Sequence, residues 1–237
     1  GKTILLNCAI EPEIKDLISF LKNLGSNIVQ QKRKIIINGP FEPRFISYEI
    51  MFDRIEAGTY MIASALIGKK IKLLNIKPKI IKKEIQILKK MGVKIKIENN
   101  NILIKESLKL KPINLSTAPY PGFPTDLQAQ IMVLLTKAKG ISKIRENIFE
   151  NRFMHIPELK RMGAKIKVKK NVATIHGPTN LSGAEVMATD LRASVCLVLA
   201  GLIADNRTII NRIYHLDRGY ENLEKKLKKC QAKIKRI

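Results

Sequence analysis

Tryptophan is absent from this 237-residue sequence and aromatic residues make up 5% of it. Stacking platforms for single-stranded nucleic acid are therefore scarce. Cysteine occurs three times, at Cys8, Cys196 and Cys230. The three are far apart and odd in number, so neither a disulfide framework nor a metal-ligand spacing follows, and a reducing cytoplasm is the expected location. Cys196 sits in the apolar run Ala193-Ser-Val-Cys-Leu-Val-Leu-Ala200 and is expected to be core packing, not a nucleophile. No apolar run approaches the length of a membrane span and no signal peptide is visible, so no membrane partner is expected. Acidic residues are few, 20 against 44 Lys and Arg, giving a net charge of +24. Such an excess attracts nucleic acid or small anions. The lysines are spread along the whole chain beside abundant Ile and Asn, which reads as compositional bias, not a focused patch. Nucleic acid is accordingly not an expected partner, and a nucleic-acid-binding scaffold ranks below the reading developed next.

What is present is a hydrophobic fraction of 45%, enough for a sizeable core, and a repeat. Four segments share a strand, an Asn, an amphipathic helix, in three of them a Gly, and a second strand. They start at Thr3-Ile-Leu-Leu-Asn7, at Lys70, at Ser142 and at Thr208. The helices end at Leu24-Gly25, Met91-Gly92, Met162-Gly163 and Cys230-Gln231, roughly 70 residues apart. Gly fits the left-handed position past a helix end, so Gln231 should end the last helix less comfortably. The second strands alternate apolar and polar residues, as in Val93-Lys-Ile-Lys-Ile97, and the same pattern predicts a strand over Ala232-Lys-Ile-Lys-Arg-Ile237.

A second helix type starts at Asp53-Arg-Ile-Glu-Ala57, Asp126-Leu-Gln-Ala129 and Asp190-Leu-Arg-Ala193. The chain thus holds nearly three copies of a β-α-β-β-α unit preceded by half a copy. This predicts an α/β fold around a pseudo-threefold axis, with apolar helices inside and sheets outside. The boundary is expected at Asn38-Gly-Pro-Phe-Glu-Pro-Arg44. Residues 1–44 read as the tail unit of an otherwise missing second domain, and 45–237 as the three-repeat body. Gly1 stands where an initiator Met would, so the native protein is expected to continue upstream.

One loop stands out. Ala118-Pro-Tyr-Pro-Gly-Phe-Pro-Thr-Asp126 is rich in Pro and Gly and runs straight into an apolar helix. Its prolines restrict φ, so it loses little entropy on ordering. Thr125 and Asp126 are expected to cap that helix and to present a carboxylate to a ligand. Arg192 and Arg218 suit a phosphate or carboxylate, because guanidinium is a planar, permanently charged fork. Asp190 and Asp217 could orient them, although structural ion pairing is the better reading of each residue taken singly.

Taken together, the clusters resemble the enolpyruvyl transferases, in particular the branch that acts on a UDP-sugar. The matching residues are Asp53-Arg-Ile-Glu-Ala-Gly-Thr59, the loop ending at Asp126, Ile148-Phe-Glu-Asn-Arg-Phe-Met-His155, Met187-Ala-Thr-Asp-Leu-Arg-Ala193 and Arg212-Ile-Tyr-His-Leu-Asp-Arg-Gly-Tyr220. The sister branch acting on shikimate 3-phosphate shares the fold but not these motifs.

The resemblance implies an inside-out α/β barrel of repeated units. It implies transfer of the enolpyruvyl group of phosphoenolpyruvate to the 3-hydroxyl of UDP-N-acetylglucosamine, with release of phosphate, at the start of peptidoglycan synthesis. No metal and no organic cofactor are implied. By the same resemblance Asp126 is the base at the sugar hydroxyl and Arg192 and Arg218 hold phosphoenolpyruvate. Asp190 and Asp53 line the cleft, and Thr125, Ile148 and Phe149 touch the UDP-sugar. The family's N-terminal part, with a Lys-Asn pair and a mobile loop bearing a reactive Cys or Asp, has no counterpart here. Ile10 stands where the family usually has Arg, and Gln231 where Gly is common. The isolated chain is therefore expected to be inactive. A decayed remnant that keeps the fold is a further alternative.

Overall fold

A computed structural model describes every residue except Glu106 and Leu108. The chain divides into two compact units, Gly1–Asp53 and Arg54–Ile237.

The first unit contains β1 (Lys2–Leu5), α1 (Pro12–Leu24), β2 (Asn27–Gln31) and β3 (Lys34–Asn38). Pro12 suits the first turn of α1, where its missing N–H costs nothing. β3 lies in the middle of the sheet, antiparallel to β1 and to β2. Ile18 of α1 packs on Ile28 and Ile35, with Ile14, Leu21 and Ile37 around them. Asp16 accepts hydrogen bonds from the Tyr48 hydroxyl at 2.9 Å and the Met51 amide at 3.3 Å, which ties the following segment to α1.

The second unit repeats this arrangement and adds the apolar helices. Its elements are α2 (Arg54–Ile67), β4 (Ile71–Leu73), α3 (Lys82–Lys90), β5 (Lys94–Glu98), β6 (Asn101–Lys105), β7 (Asn114–Ser116) and α4 (Gln128–Thr136). They continue with β8 (Gly140–Arg145), α5 (Ile156–Arg161), β9 (Lys165–Lys169), β10 (Val172–Gly177), β11 (Glu185–Met187) and α6 (Leu191–Gly201). β12 (Ile209–Asn211) and α7 (Leu223–Lys229) close the series. The sheets run β4-β6-β5, β7-β8-β10-β9 and β11-β12. Every residue of α4 is buried, as is nearly all of α6, and α4 packs against both α2 and α6. Gly58 permits that approach: a Cβ there would overlap the side chain of Leu127. The amphipathic α3, by contrast, buries Ile85 and Leu88 and turns its lysines outward. Apolar helices inside and hairpin sheets outside follow directly from these two kinds of helix.

Two short parallel pairings, not legible in the alternation pattern, place the loops. β7 runs parallel to β8, with Ser116 opposite Arg145, so the loops after Ser116 and after Arg145 emerge side by side. β11 runs parallel to β12, with Met187 opposite Asn211, and does the same for the segments leading to Asp190 and to Arg218.

The final strand expected over Ala232–Ile237 does not form. In the other repeats that strand (β2, β5, β9) pairs with the one following it (β3, β6, β10). Among the described residues the last repeat has no such partner, and a strand without a ladder leaves its backbone groups to solvent.

The helix ends follow the expected chemistry. Gly25, Gly92 and Gly163 have φ of 121°, 91° and 95°, and Gln231 takes the same left-handed region at 66°. A side chain there costs about 1 kcal/mol that glycine avoids. Its amide oxygen accepts a bond from Lys69 Nζ at 2.9 Å, an exposed contact of small worth. Gln231→Gly is expected to stabilise the second unit by about 0.5–1 kcal/mol, allowing for the greater freedom of glycine in the unfolded chain. Thermal unfolding of the two variants checks this, and a lower midpoint in the glycine variant would contradict it.

Candidate functional site

The site of the second unit lies where the loops after β7, β8, β11 and β12 meet. The proline-rich loop after β7 is held from one side by Arg54, whose guanidinium lies over the Tyr120 ring at 5.9 Å. Arg54 also faces the buried carboxylate of Glu84 at 3.9 Å. The loop ends in a 3-10 turn, Thr125–Leu127, that runs into α4.

Asp126 lies inside that turn and does not cap the helix. Pro124, in extended conformation, precedes the turn, and no side chain caps it. The Asp126 carboxylate is drawn elsewhere. Its Oδ1 accepts bonds from Arg152 Nη2 at 2.7 Å and from Arg192 Nε at 2.8 Å, with Arg192 Nη2 also at 2.7 Å. Two guanidiniums offer it full opposite charges, where a cap would offer only backbone N–H dipoles. Among the described residues Oδ2 has no hydrogen-bond partner, and the side chain is 30% exposed. One oxygen is therefore fixed and the other is open to a ligand. From below, Gln130 Nε2 donates to the Asp126 carbonyl at 2.8 Å. The same amide nitrogen lies 3.4 Å from Thr59 Oγ1 and from the Tyr220 hydroxyl, which are 2.8 Å from each other. This buried cluster joins α2, α4 and the segment after β12.

Asp190 is the acid that caps. It precedes α6 in extended conformation, and its Oδ1 accepts from the Arg192 amide at 2.7 Å and the Ala193 amide at 3.1 Å. It thus orients the backbone of Arg192 while the guanidinium goes to Asp126. Asp217 does not orient Arg218: it forms a two-bond pair with Arg236 at 2.6 and 2.8 Å, which holds its carboxyl below the usual range. A guanidinium able to reach both carboxylate oxygens at once competes better than a neighbour in sequence. Arg218 is exposed, with no hydrogen bond or ion pair among the described residues. The Gly219 that follows packs on Leu191, where a Cβ would lie 2.8 Å from Leu191 Cδ2. This brings the Arg218 segment against the start of α6, next to Arg192. Asp53, also exposed, is the last residue of the first unit.

Thr125 Oγ1 donates to Glu146 Oε2 at 2.9 Å, and the amides of Ile148 and Phe149 donate to Glu146 Oε1 at 2.8 and 3.2 Å. Phe149 is 55% exposed, and the Arg152 guanidinium lies 5.1 Å from its ring centre. Thr125, Asp126, Ile148, Phe149 and Arg192 thus converge. Arg152 belongs to a motif read in the sequence, but nothing in that motif marked it as the partner of Asp126. Glu146 carried no sequence signal at all. His155 is buried, and among the described residues its Nε2 has no hydrogen-bond partner. Burial pushes its pKa down to about 4, Asp190 partly opposes this, and Arg152 adds to it, so the ring is neutral near neutral pH. Cys196 is buried as expected and all three cysteines are free.

The site places one open carboxylate oxygen between permanent cations at the ends of parallel strands, on an inside-out repeat fold. The crystal structure of the enolpyruvyl transferase NikO from Streptomyces tendae has the same fold, with a TM-score of 0.89 and 29% identity. It matches over 99% of this chain and 57% of that one. EPSP synthase from Acinetobacter baumannii shares the fold at a TM-score of 0.71 and 20% identity, over 93% of this chain and 54% of its own. The chain belongs to the EPSP synthase (3-phosphoshikimate 1-carboxyvinyltransferase) family, whose model matches residues 1–227. Its curated relatives include proteins named UDP-N-acetylglucosamine 1-carboxyvinyltransferase from Pelagibacter ubique, 61% identical, and Rickettsia bellii, 52% identical. Both match along the whole of this chain, which spans 57% of their length.

Proposed function

We propose that the chain forms part of an enzyme that transfers the enolpyruvyl group of phosphoenolpyruvate to the 3-hydroxyl of UDP-N-acetylglucosamine, releasing phosphate. This places it at the first committed step of peptidoglycan synthesis, in the cytoplasm. The observation that carries the reading is the geometry of Asp126, with Oδ1 clamped by two guanidiniums and Oδ2 open. The names of the relatives at 61% and 52% identity support the choice of substrates.

In this reading the sugar hydroxyl hydrogen-bonds to Oδ2 and gives up its proton there. The hydroxyl oxygen bonds to C2 of phosphoenolpyruvate while the methylene carbon takes a proton from an acid in another part of the enzyme. The tetrahedral intermediate then loses a methyl proton and phosphate, which restores the vinyl group. A carboxylate within reach of the hydroxyl is suited to the first proton transfer. Arg192 and Arg218 stabilise the phosphate and carboxylate as charge shifts, with more effect in a closed cleft than in water. Thr125, Ile148 and Phe149 contact the UDP-sugar, and Asp190 sets the position of Arg192. Asp53 lines the cleft. Residues 1–44 are read as the tail unit of a second repeat domain and 45–237 as the three-repeat body. The matching β-α-β-β order of the first unit supports this.

A hybrid tests the reading. This chain is substituted for the matching 57% of the Pelagibacter ubique relative. The hybrid should release phosphate from phosphoenolpyruvate only when UDP-N-acetylglucosamine is present, and the 237-residue chain alone should not. An inactive hybrid that folds would sink the functional reading, and activity of the chain alone would sink the need for the other part.

A further inference from the structure

Glu146 is 2% exposed and follows directly on β8. Its carboxylate meets no cation among the described residues. Four neutral donors satisfy it instead. Oε1 accepts from Thr117 Oγ1 at 2.8 Å, from the Ile148 amide at 2.8 Å and from the Phe149 amide at 3.2 Å. Oε2 accepts from Thr125 Oγ1 at 2.9 Å. Its own backbone is fixed as well: its N–H donates to the Asn171 carbonyl at 2.9 Å, and its C=O accepts from Asn171 Nδ2 at 2.9 Å. Thr117 Oγ1 in turn accepts from the Asn147 amide at 2.9 Å.

A buried carboxylate is costly unless every lone pair finds a donor, and here the donors come from two different loops. One loop carries Thr125 beside Asp126. The other carries Ile148 and Phe149, and three residues on, Arg152, whose Nη2 holds Asp126 Oδ1. Glu146 therefore sets the distance between the loops from the inside, while the Arg152–Asp126 pair closes the same loop-to-loop connection at the surface.

We propose that Glu146 is a positioning residue that sets the spacing between Asp126 and the Ile148–Phe149 segment, and so the register in which a nucleotide-sugar meets the acid. The proposal rests on the functional reading above. It is specific to the nucleotide-sugar side, because among the described residues Arg218 makes no hydrogen bond or ion pair with the network and Arg192 bonds to it only through Asp126.

The length of the side chain matters more than its charge. A glutamine keeps the reach: its oxygen can serve the three donors at the Oε1 position, and its NH2 can donate to Thr125 Oγ1, whose hydroxyl turns to accept. An aspartate keeps the charge but cannot reach both loops. In the hybrid, Glu146→Gln should hold both KM values within about threefold of the parent, whereas Glu146→Asp should raise KM for UDP-N-acetylglucosamine roughly tenfold and leave KM for phosphoenolpyruvate within about twofold. An unchanged sugar KM in Glu146→Asp, or an equal rise in both KM values, overturns the proposal. If Glu146→Asp does not fold, Thr117→Val removes one donor to Oε1. It should raise the sugar KM about threefold or more, and no change there overturns the proposal equally. Hydrogen exchange at the Ile148 and Phe149 amides reads the network without turnover. It should be at least about tenfold faster in Glu146→Asp than in the parent, and unchanged exchange overturns the proposal. Loss of turnover in the parent hybrid, with this exchange result intact, condemns the functional reading and not the network.

Discussion

Asp126→Asn in the hybrid enzyme should lower turnover by roughly 10²–10⁴ while leaving the fold in place. Asparagine has the same shape, and its amide oxygen can stay where Oδ1 accepts from Arg152 and Arg192. The open position would then hold an NH2 group, which cannot take a proton from a hydroxyl. The three charged groups are partly exposed, so weakening their pairing should cost only about 1 kcal/mol of stability. The split is the informative part: a nearly normal unfolding midpoint with almost no phosphate release. Turnover within tenfold of the parent would remove Asp126 from the chemistry, whatever the stability shows. Asp126→Ala should be as inactive and less stable, because it leaves two guanidiniums facing each other without an acceptor.

Arg218→Ala should behave in the same divided way for a different reason. Arg218 makes no hydrogen bond or ion pair in the described structure and its side chain is exposed. Its removal should change the unfolding free energy by less than about 0.5 kcal/mol, as for an ordinary surface position. If it holds phosphoenolpyruvate, losing a pre-set cation at the developing charge should cost about 10²–10³ in kcat/KM. Arg218→Lys should recover only part, since an ammonium cannot match two oxygens at once. Steady-state kinetics with phosphoenolpyruvate varied would decide it. Wild-type kcat/KM for Arg218→Ala would show that this cation belongs to the surface charge and not to the site. Asp217 gives a useful contrast: its bonds go to Arg236, so Asp217→Ala should disturb that pair and leave kinetics almost untouched.

Much of this architecture was legible in the sequence because it is written in local periods. Alternation in Val93–Ile97 predicts a strand, and β5 covers Lys94–Glu98. Gly25, Gly92 and Gly163 mark left-handed helix ends, and all three have positive φ. Apolar runs after Asp126 and Asp190 predict interior helices, and α4 and α6 are buried. The same local logic failed at Asp217, which pairs with Arg236 and not with Arg218, and in two further places. It read Asp126 as a cap, because an acid before an apolar helix usually is one. It read Ala232–Ile237 as a strand, because alternation cannot tell whether a ladder partner exists.

The candidate site was legible as a list of residues, not as a set of contacts. Asp126, Arg192, Thr125, Ile148 and Phe149 stand in the motifs and do converge. Arg152 and Glu146 were missed as functional groups because their importance lies entirely in what they touch. Arg192 is 66 positions from Asp126, and Glu146 meets Thr117 across 29. No window of sequence contains either pair.

The sequence by itself determined the repeat, the two kinds of helix, the rigid loop and the inventory of acids and guanidiniums. Those depend on side-chain period and turn chemistry over a few neighbouring residues. Tertiary structure alone decided which acid caps and which is clamped, that Asp126 keeps Oδ2 open, and that Glu146 joins two loops. Those follow from the parallel pairings β7–β8 and β11–β12 and from the packing of α4 on α6, which fix distances between residues remote in the chain. Pairing with two guanidiniums brought in across such distances outweighed the local preference of Asp126 for a cap.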